Sequence, residues 1–211
     1  MNPRPRVKIC GITRAEDAAL AVRLGASALG FIFWPDSPRA VTVETARAIA
    51  RLVPPLVARV GVFVNAPVET VAVTTQEVGL DAVQLHGDEP VSDYRAVPAR
   101  LIKAVTLVDD HDVRTAADLP PHVTPLVDVL DLVRRGGTGR TVDWTRARDL
   151  AARRFVILAG GLTPENVRAA VDLVDPWAVD VSSGVESAPG IKSPERLARF
   201  FAAVTGGSEA A

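Results

Sequence analysis

Eight short apolar runs recur along the chain, at residues 7–12, 28–33, 58–64, 82–85, 101–107, 125–129, 155–159 and 178–181. They are rich in Val and Ile, as strands buried on both faces of a parallel sheet tend to be. Between them, apolar residues return at three- and four-residue spacing. In 15–24, for example, Ala15, Ala18, Ala19 and Val22 fall on one helical face. The same spacing predicts helices over 43–52, 68–77, 144–152, 165–173 and 194–204, and weaker ones over 88–97 and 110–119. Thr13, three residues before Glu16, reads as a capping box. Thr163-Pro164 and Ser193-Pro194 each place a hydroxyl at an N-cap and proline at the first helical position.

Eight strand–helix units of about 26 residues each predict a single (β/α)8 barrel near its lower size limit. An open doubly wound sheet is the alternative, usually with fewer strands. No shift in composition marks a second domain, so the barrel is expected to take residues 1–205, with 206–211 a disordered tail.

Composition narrows the function classes. Of 211 residues, 48% are hydrophobic and 23% charged, which is globular usage and excludes a disordered chain. A net charge of −1 argues against a nucleic-acid partner. One cysteine allows no intrachain disulfide and suits a reducing compartment. The N-terminal residues lack a signal-length apolar core, and no run of 18 apolar residues occurs, so a cytoplasmic protein with no membrane partner is expected.

In such a barrel the chemistry sits at the carboxyl ends of the strands. The polar residues there are Cys10, Arg39, Asn65, Gln84, His86, Asp128, the pair Gly160-Gly161, and Asp180 with Ser182, Ser183 and Gly184. Gly160 and Gly161 lead into a predicted helix, and Ser182-Ser183-Gly184 follows the last strand. Glycines admit a ligand close to the backbone, and the loops after strands seven and eight form a recurrent phosphate site in this architecture. Taken singly, those glycines could serve only as tight turns.

Cys10 is either an inert core thiol or a base, the second requiring a lowered pKa. It stands at a strand end, Lys8 shares its face at period two, and Gly11 leaves the backbone open beside it. Asp128 is a loop cap or an acid. An acid held protonated needs an apolar site or a nearby negative charge, and a barrel mouth can supply the first. Arg39 is suited to a carboxylate ligand or to solvent. His111 and His122 form no ligand spacing with His86, so no metal is expected.

Eight segments, in order, resemble the phosphoribosylanthranilate isomerase family. They are Lys8-Ile9-Cys10-Gly11-Ile12-Thr13; Gly30-Phe31-Ile32-Phe33 with Ser37-Pro38-Arg39; Gly61-Val62-Phe63-Val64-Asn65; and Val83-Gln84-Leu85-His86-Gly87. They continue with Leu126-Val127-Asp128; Gly136-Gly137-Thr138-Gly139 with Asp143-Trp144; Ala159-Gly160-Gly161-Leu162-Thr163-Pro164-Glu165-Asn166; and Asp180 to Glu186 with Pro189-Gly190-Ile191-Lys192. Val142, where the family usually has phenylalanine, and Ser193, where aspartate is common, depart from it at positions of packing and capping. An Asp131–Arg135 loop is idiosyncratic and could cover the site.

The resemblance implies a (β/α)8 enzyme of tryptophan biosynthesis. Its reaction is the Amadori rearrangement of N-(5-phosphoribosyl)anthranilate to the carboxyphenylamino deoxyribulose phosphate. It further implies Cys10 as general base, Asp128 as general acid, Arg39 on the anthranilate carboxylate, and phosphate on Gly160-Gly161 and Ser182-Ser183-Gly184. Asp180 lines the site; Gln84 and His86 are taken as substrate-binding from their strand-four position. No cofactor or metal is implied. The expected partner is the small-molecule substrate, for a monomer or homodimer. The rivals are another phosphate-binding barrel, such as a sugar-phosphate epimerase or indole-glycerol-phosphate synthase, and an inactive sugar-phosphate binder.

Overall fold

A computed structural model of the chain describes residues 5–128 and 144–206. The loop 131–135, the glycine motif 136–139, Val142, Asp143 and the tail from 207 lie outside the described residues. Eight parallel strands close into a barrel in chain order: β1 Arg6–Ile9, β2 Ala28–Ile32, β3 Ala58–Phe63, β4 Ala82–Leu85, β5 Arg100–Val105, β6 Val123–Asp128, β7 Ile157–Ala159 and β8 Ala178–Val181. Each begins within two residues of a predicted apolar run. The expected (β/α)8 architecture is the observed one.

The helices are α1 Ala15–Leu24, α2 Val43–Ala50, α3 Val68–Val78, α4 Asp110–Ala117, α5 Thr145–Ala151, α6 Val167–Val174 and α7 Pro194–Thr205. The fourth unit departs from expectation: residues 88–97 yield only a 3-10 turn, Val91–Tyr94. Pro90 and Pro98 bracket the segment, and the Tyr94 hydroxyl bonds the Ala66 carbonyl at 2.5 Å, which ties a short connection where a helix was expected.

Two start signals read differently in space. Thr13 does not cap α1, because its hydroxyl donates to the Gly190 carbonyl at 2.5 Å; Arg14 takes the N-cap position without a side-chain bond. Thr163 accepts from the Glu165 amide and organises a turn, and α6 starts later, with Asn166 at its N-cap. Ser193 behaves as predicted, accepting from the Arg196 amide ahead of Pro194.

The period of two splits each strand between two cores. Outward residues such as Ile9, Leu29, Phe31, Val83, Leu85, Leu158 and Val179 pack under the helices. Inward residues Val60, Ala82, Ile102, Leu126, Ile157 and Ala178 fill the barrel floor. Two residues further along the inward rows stand Gln84, Asp128 and Asp180, so the register that fills the floor with aliphatic side chains also lines the carboxyl-end mouth with polar ones. In the ladders Lys8 pairs with Asp180 and Asp128 with Ala159.

At the opposite end, Arg154 stitches α4 to β6. Its guanidinium donates to the carbonyls of Ala116, Ala117, Leu119, Pro120 and Val123, satisfying helix C-terminal acceptors that have no partner within the helix. A charged donor bond contributes roughly 1.5–3 kcal/mol, and these bonds share one cation. Arg154→Met should therefore lower the unfolding free energy by about 2–3 kcal/mol in urea titration. A loss below roughly 0.5 kcal/mol, the range of an ordinary surface change, would remove Arg154 from this role.

Candidate active site

Cys10 follows β1 and is 6% exposed. Its amide donates to the Val181 carbonyl at 2.9 Å, which fixes the thiol against the end of β8. Below it, the Lys8 ammonium donates to Asp180 Oδ2 at 2.9 Å, with both groups buried. Above it, the Lys192 ammonium donates to the Cys10 carbonyl at 2.6 Å, the Ser182 carbonyl at 3.3 Å and Glu186 Oε1 at 2.9 Å. Lys192 lies in a two-residue strand, β10 Ile191–Lys192, paired antiparallel with β9 Glu186–Ala188.

Burial is the largest influence on the Cys10 thiol and pushes it up from its ordinary range; Asp180 adds to the rise, while Lys8 and Lys192 oppose it. The lowered thiol pKa required of a base is therefore not what the surroundings provide, because desolvation outweighs the two ammoniums. Burial lowers the Lys192 ammonium, against the pull of Glu186. Burial would likewise lower Lys8, but Asp180 and Cys10 together hold it above its ordinary value.

Arg39 does not stand free. Nε reaches Glu186 Oε1 at 2.9 Å and Nη2 reaches Oε2 at 2.7 Å, a two-donor fork on one carboxylate. Glu186 thus joins the loop after β2 to Lys192 and the region after β8.

Across the mouth, Asp128 ends β6. Its side chain is 39% exposed, and His86 Nε2 lies 3.1 Å from Oδ2. Among the described residues the carboxyl has a polar neighbour, the imidazole, where an apolar setting was expected. Gln84 Nε2 lies 2.7 Å from His86 Nδ1. With the amide nitrogen donating, Nδ1 accepts and Nε2–H is left to donate to Asp128. Gln84 is buried beneath the ring, so it orients His86 and is not itself exposed to the mouth.

Asn65 serves the loop beyond β4. Its backbone is left-handed, at φ 50°; its amide donates to Glu89 Oε1 at 2.6 Å and its side-chain oxygen accepts from Asp88. Glu89 Oε2 also takes the Gly87 amide and Lys103 Nζ.

Gly160 and Gly161 both have positive φ, at 84° and 64°. Gly184 is required for close approach: a Cβ there would lie 1.9 Å from the Leu162 carbonyl oxygen, so the loops after β7 and β8 meet at this glycine. Ser182 Oγ, Asp180 Oδ1 and Gln84 Oε1 are buried with no hydrogen-bond partner among the described residues. The mouth therefore brings together Cys10, Arg39, His86, Asp128 and Asp180, with Gln84 buried behind His86, and the two glycine-containing loops adjoin it. The strand-end rule missed Lys8, Glu186 and Lys192. For Lys8 the two-residue spacing from Cys10 was a visible signal; Glu186 and Lys192 lie beyond the last strand.

Among the described residues no group of three or more His, Cys, Asp or Glu could hold a metal, and no helix is long and apolar enough to cross a membrane.

Glu186 links pH to stability. Burial alone would raise its carboxyl, but Arg39 and Lys192 outweigh it and hold it below the ordinary range. The stability this contributes is complete above the unfolded carboxylate value, about 4.3, and is lost as pH falls through the lower folded value. Unfolding free energy should therefore fall across that acid window in the parent. Glu186→Gln should flatten that part of the fall; an unchanged acid slope would exclude Glu186 as its source.

A family profile described as N-(5'-phosphoribosyl)anthranilate (PRA) isomerase matches residues 7–203. The N-(5'-phosphoribosyl)anthranilate isomerase of Geobacter metallireducens is 50% identical over 201 residues, covering 93% of this chain and 96% of that one. The crystal structure of phosphoribosyl anthranilate isomerase from Thermotoga maritima superposes with a TM-score of 0.87 at 43% identity, covering 96% and 99% of the two chains. A second isomerase structure, in complex with reduced 1-(o-carboxyphenylamino)-1-deoxyribulose 5-phosphate, has a TM-score of 0.82 at 42% identity over the same shares. With the profile covering nearly the whole barrel and relatives this similar end to end, the chain belongs to the N-(5'-phosphoribosyl)anthranilate isomerase family of tryptophan biosynthesis.

Proposed function

We propose that this chain isomerises N-(5-phosphoribosyl)anthranilate to 1-(2-carboxyphenylamino)-1-deoxyribulose 5-phosphate, with Cys10 as base and Asp128 as acid. The observation that carries the assignment of roles is that a thiol and a carboxyl face one mouth from β1 and β6, with β7 and β8 between them. A sugar held there meets one group on each side.

Asp128 donates its proton to the ribose ring oxygen. The C1′–O bond breaks, its electron pair stays on that oxygen, and the amine nitrogen closes an iminium to C1′. Cys10, as thiolate, takes the C2′ proton; the C2′–H pair becomes the C1′=C2′ bond and the iminium pair returns to nitrogen. The enolamine then tautomerises, C1′ gaining a proton and the C2′ hydroxyl losing one, so no atom or electron enters or leaves overall. The His86 Nε2–H stabilises the carboxylate that Asp128 becomes.

The loops of Gly160-Gly161 and Ser182-Ser183-Gly184 hold the phosphate through backbone amides, since they carry no lysine or arginine. Arg39 takes the anthranilate carboxylate through Nη1, its Nε and Nη2 being engaged with Glu186. Anchors at both ends orient the sugar between acid and base, a source of much of the rate. Against the synthase-type rival, the chain's three lysines, Lys8, Lys103 and Lys192, are each committed to a carboxylate.

Cys10→Ala and Asp128→Asn should each lower kcat by about 10²–10⁴ with little change in KM, the range for loss of a general base or acid. Near-parent turnover in either variant would take that residue out of its role. The parent kcat/KM should be two-limbed in pH, falling toward acid and toward alkali, because the reaction needs a thiolate and a protonated carboxyl at once. A profile that lacks either limb would contradict the acid–base pair.

Gly184→Ala should raise KM for substrate and the inhibition constant of inorganic phosphate together, since the added carbon must push the two loops apart. Unchanged phosphate inhibition would count against this binding site.

A further inference from the structure

We propose that Lys8 is a positioning residue for Cys10: its buried ammonium, shared between the Asp180 carboxylate and the Cys10 sulfur, is the counter-ion that lets Cys10 carry negative charge during turnover. This inference rests on the reading of Cys10 as the base.

The placement is dictated by register. Lys8 and Cys10 are two residues apart and project on the same side of the barrel wall, and Lys8 is the ladder partner of Asp180 on β8. Ala28 beside Lys8 on β2, and Ala178 one layer below on β8, offer a cation no partner. A lysine there is tolerated only if paired, and the first pair is the 2.9 Å bond to Asp180 Oδ2. An ammonium has three donors and this carboxylate oxygen occupies one.

The space left at Gly30 on β2 shows what stands beside the ammonium. A Cβ at Gly30 would be 2.8 Å from Cys10 Sγ and 3.2 Å from Lys8 Nζ, so sulfur and ammonium converge on the gap opened by the missing side chain. The same convergence is expressed in the titration of Cys10, on which Lys8 acts by charge and by hydrogen bond.

Other charged groups face Cys10, and their bonds set Lys8 apart. Lys192 on β10 is spent on the Cys10 main-chain carbonyl, the Ser182 carbonyl and Glu186. Arg39, after β2, is forked on the same Glu186 of β9. His86 and Asp128 pair with each other from β4 and β6. Asp180 is the buried carboxylate that competes with the sulfur for Lys8, and its Oδ1 has no partner among the described residues. When Cys10 is a thiol, Lys8 balances Asp180. When Cys10 loses its proton, the same ammonium faces two anions without moving. When the thiolate takes the C2′ proton, the original balance returns.

Cys10 is the chain's single cysteine, so the ultraviolet absorbance of its thiolate, titrated with pH and corrected with Cys10→Ala, reads this group alone. Lys8→Met should make the thiol at least about tenfold less acidic, the scale of losing an opposite charge at contact distance. Asp180→Asn should make it more acidic by a similar factor, because the competing anion is gone and Lys8 turns to the sulfur. The low-pH limb of kcat/KM should move up in the first variant and down in the second. A residue needed only for folding would not shift the two titrations in opposite directions. If Lys8→Met does not fold, the Asp180→Asn titration decides. An unchanged or less acidic thiol in Asp180→Asn overturns the inference. If the thiol shifts as described while Cys10→Ala keeps full turnover, the counter-ion stands and the base assignment fails.

Discussion

The mouth of this barrel depends on one buried cation. Lys192, 1% exposed, holds the carbonyl ends of strands one and eight and the carboxylate of Glu186 with a single ammonium. Burying such a charge costs several kcal/mol unless its donors are used, and here all three have acceptors. Glu186 passes the constraint on to Arg39, and Asp17 of α1 accepts the Lys192 amide at 3.0 Å. Three stretches of chain, residues 10–17, the loop at Arg39 and residues 182–192, are thereby held around Cys10. Removing either charge of this set would leave the other buried and unpaired, which costs more than the pair itself contributes.

Most of the fold was legible because the barrel repeats one physical pattern. Strand runs with small or branched side chains alternate with helices of 3.6-residue period, and the inward and outward rows differ only by parity. The errors fell at connections. The 88–97 segment had helical spacing, but its bracketing prolines and the Tyr94 bond to Ala66 favour a short turn. Thr13 had the sequence of a capping box, yet a carbonyl 177 residues away took its hydroxyl. A local rule cannot see a partner that arrives from the far end of the chain.

The same distinction divides the site. Cys10, Asp128 and Asp180 were found because they sit where strands end, a position readable from pattern alone. Lys192 and Glu186 lie in a small hairpin after the last strand, and only closure of the barrel carries them to strand one. Arg39 was readable as a carboxylate binder, but not that Glu186 would meet it first. Protonation was least legible. Cys10 is buried, and the Asp128 side chain, for which an apolar setting was expected, is 39% exposed beside an imidazole.

The surroundings of Cys10 and Asp128 differ in charge as well as in burial. Around the thiol, Lys8 faces Asp180 while Lys192 and Arg39 share Glu186, so three cations stand against two carboxylates. The proposed ligand, with a phosphate and a carboxylate, would bring only negative charge, which opposes a thiolate at Cys10. Lys8 and Lys192 adjoin the thiol, while Asp128 has an imidazole for its partner. The two ammoniums oppose that effect at the sulfur. This follows from the register that set Lys8 beside Asp180 on the wall that bears Cys10, and Asp128 beside His86 across the mouth.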